Sequence, residues 1–300
     1  MLHNFCKILT SSLSGKLVFP KRKLRRSFNG VPGGSDYMKP YILNTNLRSP
    51  ILLTCEHASR RIPKNLGRLG LTAAELRGAK DLYDPGSEQL TRILAEKLGA
   101  SILLATTSRL VIDYNRRLDM QGVAGNAYHA PALKTELLTE LEGIETIVPI
   151  VPNQKKSAQL AAMRYKQYVQ PYQTAGIACV QRLVATYGRC LVLSVHSFYP
   201  VYRGEVRKTD IDVLYDVAVR EGKEFAQTVK KQTSLVVAEN NPWGMRDVDG
   251  GVFKSLQMVP GVTLLAVDIN NRLLQSHRAV QALVRVLLPA MRLHSYDLGV

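Results

Sequence analysis

The sequence predicts an α/β protein with three layers, in which a mostly parallel β-sheet lies between two layers of helices. From residue 50 onward, strand-like and helix-like segments alternate, which is the pattern of parallel-sheet proteins. The strand candidates are continuously apolar, as expected for strands that are covered on both faces. A chain of 300 residues can bury a full core. The sequence shows no internal repeat and no boundary to a second domain. We therefore predict one domain over residues 50–293.

Seven short apolar segments predict the strands of the sheet. They are residues 51–55, 101–106, 110–113, 191–196, 211–215, 235–238 and 262–269. Polar clusters directly follow the apolar runs 51–54 and 191–193. Because the carboxyl ends of parallel strands meet at one edge of a sheet, we expect the functional site at that edge.

Six longer segments predict helices. They are residues 72–78, 87–98, 132–142, 154–187, 217–232 and 275–293. Thr72 and Glu75 have capping-box spacing, and Gly99 is a typical stop after the second helix. We expect a kink at Pro171, because proline removes a backbone donor and clashes with the preceding turn.

Part of the net charge of +16 comes from the N-terminal segment. Residues 1–35 contain seven basic residues and no acidic one, and the remainder has 33 basic against 24 acidic residues without a dense basic stripe. A dispersed excess suits anionic small molecules. Because aromatic residues are sparse and no RNP or KH-like signature is present, we expect no nucleic-acid binding.

The first 40 residues predict a presequence and linker. Residues 1–35 are basic, acid-free and rich in hydroxyl groups, with apolar residues at near-helical spacing. This composition is typical of an organelle transit peptide, and a disordered basic tail is the alternative. We predict a mitochondrial location, and otherwise a cytoplasmic one. No run of 18 apolar residues occurs, so we expect no membrane span.

Two of the six histidines, His57 and His196, directly follow apolar strands. Two histidines, a carboxylate and an open position form the ligand set of a catalytic zinc. A single histidine after a strand is more often a structural hydrogen-bonding residue, so the pair is the signal. Asp84 and Glu56 are the candidates for the carboxylate. Asp84 would otherwise cap a helix, and Glu56 would otherwise orient His57.

These segments together resemble the N-formylglutamate amidohydrolase family, particularly its branch with Glu-His instead of Pro-His at the first motif. The motifs are CEHAS at residues 55–59, SRLVIDYNR at 108–116, HSFYP at 196–200 followed by Arg203, and DIN at 268–270. The resemblance extends from about residue 51 to residue 292. It implies a fold related to zinc carboxypeptidases and aspartoacylases, a single Zn²⁺, and a small anionic N-acyl amino acid as substrate.

By this resemblance, the zinc ligands are His57, Asp84 and His196. Glu56 is less favoured, because the branch with proline at its position keeps the histidine.

Several polar residues have the chemistry to bind and activate an N-acyl amino acid. An arginine fork with a neighbouring amide binds a carboxylate, so Asn115 and Arg116, with Arg203, are the candidates for substrate binding. Arg109 is suited to stabilise the developing oxyanion. For any single arginine, a pair with a surface acid is the commoner role.

The chain departs from the family at the expected catalytic base. The family usually has Glu-Ile-Arg where this chain has Asp268, Ile269 and Asn270. Aspartate is shorter by about 1.5 Å, and a displacement of that order can cost about a hundredfold in rate. The histidine usual after the glycine-rich segment is also absent. A zinc-retaining binding protein without turnover is therefore the main alternative to a hydrolase. A Cys55 nucleophile is disfavoured, because a small thiol at a buried strand end is ordinary packing.

We predict that the mature protein begins between Phe28 and Lys39, because the preceding segment has transit-peptide composition. N-terminal sequencing of the protein from isolated mitochondria tests this. A cytosolic protein that still begins at Met1 would contradict it.

Overall fold

A seven-stranded sheet organises the structure, which is a computed structural model that describes residues 39–78, 82–116, 154–202, 205–242, 244–245 and 251–296. The strands are β1 (Tyr41–Asn44), β2 (Ile51–Cys55), β3 (Ser101–Ala105), β4 (Cys190–Phe198), β5 (Val201–Tyr202), β6 (Glu205–Val206), β7 (Ile211–Leu214), β8 (Val237–Glu239) and β9 (Val262–Asn270). The sheet order is β1-β3-β2-β4-β9-β7-β8, and β5 pairs with β6 alone.

The centre of the sheet is parallel, as predicted. Strands β3, β2, β4 and β9 run in the same direction, and all residues of β2 and β4 are buried. The edges mix directions, because β1 is antiparallel to β3 and β7 is antiparallel to β9. Because β7 is antiparallel to β9, the first residues of β7 lie beside the last residues of β9.

Helices cover both faces of the sheet and confirm the three-layer prediction. They are α1 (Ala73–Gly78), α2 (Ser87–Leu98), α3 (Gln154–Arg164), α4 (Gln170–Tyr187), α5 (Val219–Lys231), α6 (Gly251–Gln257) and α7 (His277–Tyr296). Buried side chains of α2, α5 and α7 pack against one face. Those of α4 and α6 pack against the other. Among the residues that the structure describes, no helix has the length and apolar character needed to cross a membrane.

Some predicted elements differ from the structure. The predicted strand 110–113 is a turn, in which the Val111 amide donates to the Ser108 carbonyl over 2.9 Å. Its apolar side chains are nevertheless buried, and periodicity cannot distinguish so short a buried run from a strand. Strand β1 was missed, because it is a largely exposed edge strand. A π-helical turn at Tyr165–Val169 interrupts the predicted helix 154–187 just before Pro171. The presequence and the predicted helix 132–142 lie outside the described residues.

Candidate metal centre

The end of β4 and the loop after β2 bring the two strand-end histidines together. Strands β2 and β4 are parallel neighbours, with Thr54 beside Ser194. His57 follows β2, and His196 lies near the end of the longer β4, so their rings meet with centroids 5.0 Å apart. Both side chains are almost fully buried. The parallel pairing of β2 with β4 therefore creates this pair, at the sheet edge where the sequence predicted the functional site.

Asp84 lies between the two histidines. Its Oδ2 atom is 2.7 Å from His196 Nδ1 and 3.4 Å from His57 Nδ1, and it accepts the Ser197 amide at 3.2 Å. Gly86, with φ of 83°, is the N-cap of α2, and no side chain caps that helix. The alternative role of Asp84 as a helix cap is therefore wrong.

The far nitrogen of each histidine ring also faces a carboxylate. His57 Nε2 is 2.9 Å from Asp113 Oδ1. His196 Nε2 is 3.3 Å from Glu56 Oε2 and 3.0 Å from the Ser194 hydroxyl. With these acceptors holding a proton on each Nε2, a cation that displaces the Nδ1 protons would find both Nδ1 atoms beside Asp84. Carboxylates that back histidines in this way are typical of metal sites.

The donor atoms lie close enough together to hold one metal ion. One nitrogen from each histidine and one oxygen of Asp84 all lie within 4.8 Å of one another. Ligands of a tetrahedral zinc are about 3.4 Å apart, given bond lengths of about 2.1 Å. The residues present therefore fit a three-ligand metal site, and His57, Asp84 and His196 are the residues that would hold the ion.

Electrostatics favour a cation at the same place. Burial alone would lower the pKa of His196, but its hydrogen bonds to Asp84 and Glu56 raise it to about 10. Burial alone would raise the pKa of Asp84, yet the two histidines hold it well below its usual range. The carboxylates thus keep protons on the rings, and a bound cation would replace those protons.

Glu56 lies behind His196, on the side away from Asp84. It is fully buried, and its two oxygens are 3.0 Å from the Tyr172 hydroxyl and 2.6 Å from the Ser194 hydroxyl, which donates to it. Burial alone would raise the pKa of Glu56, but hydrogen bonds to His196 and Ser194 lower it. Glu56 thus contacts His196 but is not one of the three residues whose donor atoms surround the candidate metal position.

Two predicted arginines converge on Asp113 at the rim of the site. Arg109 Nη2 is 2.9 Å from Asp113 Oδ2 and its Nη1 is 3.9 Å from Asp84 Oδ1. Arg116 Nε is 4.0 Å from Asp113 Oδ2. Burial alone would raise the pKa of Asp113, but Arg109, His57 and Arg116 hold it well below its usual range. The cationic groups are therefore fixed beside the candidate metal centre and remain partly exposed.

Asn115 borders the same space. Its Nδ2 is 3.2 Å from His196 Nε2, and its buried Oδ1 has no hydrogen-bond partner in the described part of the chain. The remaining substrate-binding candidate, Arg203, lies outside the described residues.

Asp268 lies beside His196, to which it is matched in the register of β4 and β9. Burial and the charge of Asp84 raise its pKa to about 6, although His196 and Arg207 oppose this. The side chain of Asn270 contacts backbone groups: its amide donates to the Thr209 carbonyl, and its oxygen accepts the Arg272 amide. The residue that replaces the family's arginine thus caps a turn.

Sequence reasoning missed three residues that support the histidines. They are Ser194 and Tyr172, which bind Glu56, and Phe253, whose ring lies edge-on to His196 with centroids 5.9 Å apart. Ser194 is two residues before His196 on the same face of β4, which is a usable signal. Tyr172 and Phe253 come from helices, and no local pattern distinguishes them from core residues.

Together these features define a three-layer α/β protein with a histidine–aspartate–histidine centre whose rings are backed by carboxylates. A sequence profile described as N-formylglutamate amidohydrolase matches residues 49–274. The chain belongs to this family, which comprises hydrolases that act on amide bonds. The resemblance recognised in the sequence is confirmed.

Solved structures agree on the fold. Gene product Atu2144 from Agrobacterium tumefaciens has 25% identity and a TM-score of 0.68, covering 85% of this chain and 94% of its own. N-formylglutamate amidohydrolase from Ralstonia eutropha JMP134 has 18% identity and a TM-score of 0.57, covering 85% and 97%. No curated protein matches the chain significantly.

We predict that Glu56→Gln weakens metal affinity about tenfold to a hundredfold, because a neutral amide supports the His196 ring less well than a carboxylate. Competition with a zinc chelator measures this. Glu88→Gln is the control, since Glu88 is partly exposed on α2 and pairs with Arg92. Unchanged zinc affinity in Glu56→Gln would contradict the supporting role.

Proposed function

We propose that the protein is a zinc-dependent amidohydrolase that cleaves an N-acyl amino acid, such as N-formyl-L-glutamate, to formate and the free amino acid. One observation carries this proposal beyond family membership. Two buried histidines direct their Nδ1 atoms at Asp84 while carboxylates hold their opposite nitrogens. Such a set leaves room for water or substrate at the open position of a catalytic metal.

The ligand residues in this proposal are His57, Asp84 and His196. When bound, zinc supplies Lewis-acid chemistry, which polarises an acyl carbonyl and makes water more acidic. The protein contributes the orientation of the ligands, because Asp113 and Glu56 fix the rings. Those contacts also select which ring nitrogen carries the proton.

Asp268 is proposed as the general base and acid. It lies beside His196, so its carboxyl group adjoins the proposed ligand set, where a general base is needed. Asp268 takes a proton from the attacking water, whose hydroxyl adds to the acyl carbon. The carbon–nitrogen bond then breaks, its electron pair leaves with the nitrogen, and Asp268 returns the proton to that amine.

The arginines and Asn115 are proposed to bind the anionic substrate. Asp113 holds Arg109 and orients Arg116, so their planar guanidinium groups lie ready for a carboxylate or a developing oxyanion. Asn115 adds an amide donor at the same rim. Arg203 is proposed as a further contact from the motif after β4.

A second candidate is a zinc-retaining binding protein that does not turn its ligand over. The observation that favours it is the aspartate at position 268, where the family usually has glutamate. The shorter side chain would hold the base about 1.5 Å further from its target.

We predict about one zinc per chain in the purified protein, and its loss in His57→Ala and in His196→Ala, because each variant removes a ligand. Elemental analysis measures the metal content. The control is His277→Ala, since His277 lies on α7 and pairs with Gln89. Full zinc content in the double alanine variant would refute the assignment.

For Asp268, we predict that Asp268→Asn abolishes turnover and leaves zinc content unchanged, while Asp268→Glu raises kcat by restoring the length of the base. Release of formate from N-formyl amino acids measures both. If Asp268→Asn retains full activity, the base is another residue, and Glu56 is the next to test. If wild type and Asp268→Glu bind substrates but hydrolyse none, the binding-protein candidate is correct.

A further inference from the structure

A buried aspartate on the neighbouring strand lies directly opposite Asp268. Asp212 on β7 is paired with Asp268 on the antiparallel strand β9. Directly opposite residues of such a pair point to the same face, with Cβ atoms about 4.5–5.5 Å apart. Because Asp268 is also matched with His196 on β4, the three side chains form a row across three neighbouring strands. Asp212 is one strand further from the metal centre than Asp268.

One oxygen of each carboxyl group lacks the hydrogen-bond donor that a buried oxygen normally has. Asp212 is only 1% exposed, and its Oδ2 accepts the backbone amide of Asn241 at 2.9 Å. The Oδ1 atoms of Asp212 and Asp268 are both buried, and neither has a hydrogen-bond partner within the ranges described. Buried acceptors without a donor are costly. A hydrogen between these two oxygens would satisfy both.

The surrounding charges do not remove the repulsion between the carboxyl groups of Asp212 and Asp268. Arg207, whose guanidinium carbon lies 3.5 Å from the centre of the Phe198 ring, opposes the shifts of both carboxyls. Asp268 also faces the charges of His196, His57 and Asp84, while Asp212 faces the backbone amides of Asn240 and Asn241. Burial, and then the charge of Asp268, raise the pKa of Asp212 to about 7.

We propose that Asp212 is a positioning residue of the hydrolytic site, which holds the Asp268 carboxylate in place through one hydrogen shared across β7 and β9. This inference rests on the proposed function, in which Asp268 is the base. The geometry resembles carboxyl pairs in which like charges prevent both groups from ionising.

The shared hydrogen takes no net part in the reaction. Asp268 receives the proton of the attacking water and returns it to the leaving amine, while the hydrogen between the two aspartates is neither gained nor lost. Its effect is to fix the rotamer of a side chain that is shorter than the usual glutamate. A fixed rotamer partly offsets the lost length, because rate depends steeply on the position of the base.

Kinetics of the zinc-loaded full chain test the proposal. We predict that Asp212→Ala lowers kcat about tenfold to a hundredfold with KM and zinc content unchanged, because Asp268 loses its support. Asp212→Asn keeps a donor toward Asp268 and should recover most of kcat. The acid limb of its pH profile should move to lower pH, because the amide places no negative charge beside Asp268.

The control is Asp210→Asn, another buried aspartate near β7, which pairs with Arg272. It should leave the pH profile unchanged even where stability falls. A wild-type kcat and pH profile in Asp212→Ala would overturn the proposal.

Infrared spectroscopy provides a readout that does not need turnover. At pH 6–7, wild type should show the band of a protonated carboxyl group that is absent from both Asp212→Asn and Asp268→Asn. Persistence of the band in both variants would refute the shared hydrogen. If wild type hydrolyses no N-acyl amino acid, the proposed function fails, and the infrared result still decides whether the two aspartates share a proton.

Discussion

The contact of one buried carboxylate with two imidazole rings is the constraint on which the rest of the site depends. Asp84 has almost no contact with solvent, and a buried charge is costly unless it is paired and hydrogen-bonded. His57, His196 and the Ser197 amide supply that pairing. Each ring then requires an acceptor for its other nitrogen, and each acceptor requires partners of its own. Asp113, the acceptor for His57, is paired with Arg109 at the rim. Glu56, the acceptor for His196, is hydrogen-bonded to Tyr172 of α4.

The sheet determines where these partners can come from. Because β2, β4 and β9 are parallel neighbours, their carboxyl ends present side chains to the same space. The length of β4 carries His196 beyond the last residue of β2. Strand β7 runs the other way and contributes through its register against β9. Because β7 is antiparallel to β9, Asp212 near the start of β7 lies opposite Asp268 near the end of β9.

The sequence predicted what depends on local pattern. The apolar strands, the alternation with helices and the histidines after β2 and in β4 all follow from periodicity and residue type. Contacts between distant residues were not predictable in this way. Glu56 meets Ser194 across 138 residues, and His57 meets Asp113 across 56. The role of Asp84 was ambiguous for the same reason, since a carboxylate before a helix has the same local signature as a cap or a ligand.

The glycine that begins α2 limits how this centre can diverge. Gly86 has φ of +83°, and a Cβ atom built there would lie 2.4 Å from the Cβ of Leu274. Any side chain at position 86 would therefore strain the backbone two residues from Asp84 and displace the turn that follows β9. Positions 86 and 274 are consequently expected to vary together or not at all among relatives. Neither Gly86 nor Leu274 takes part in chemistry, yet both restrict which substitutions can be accepted near Asp84.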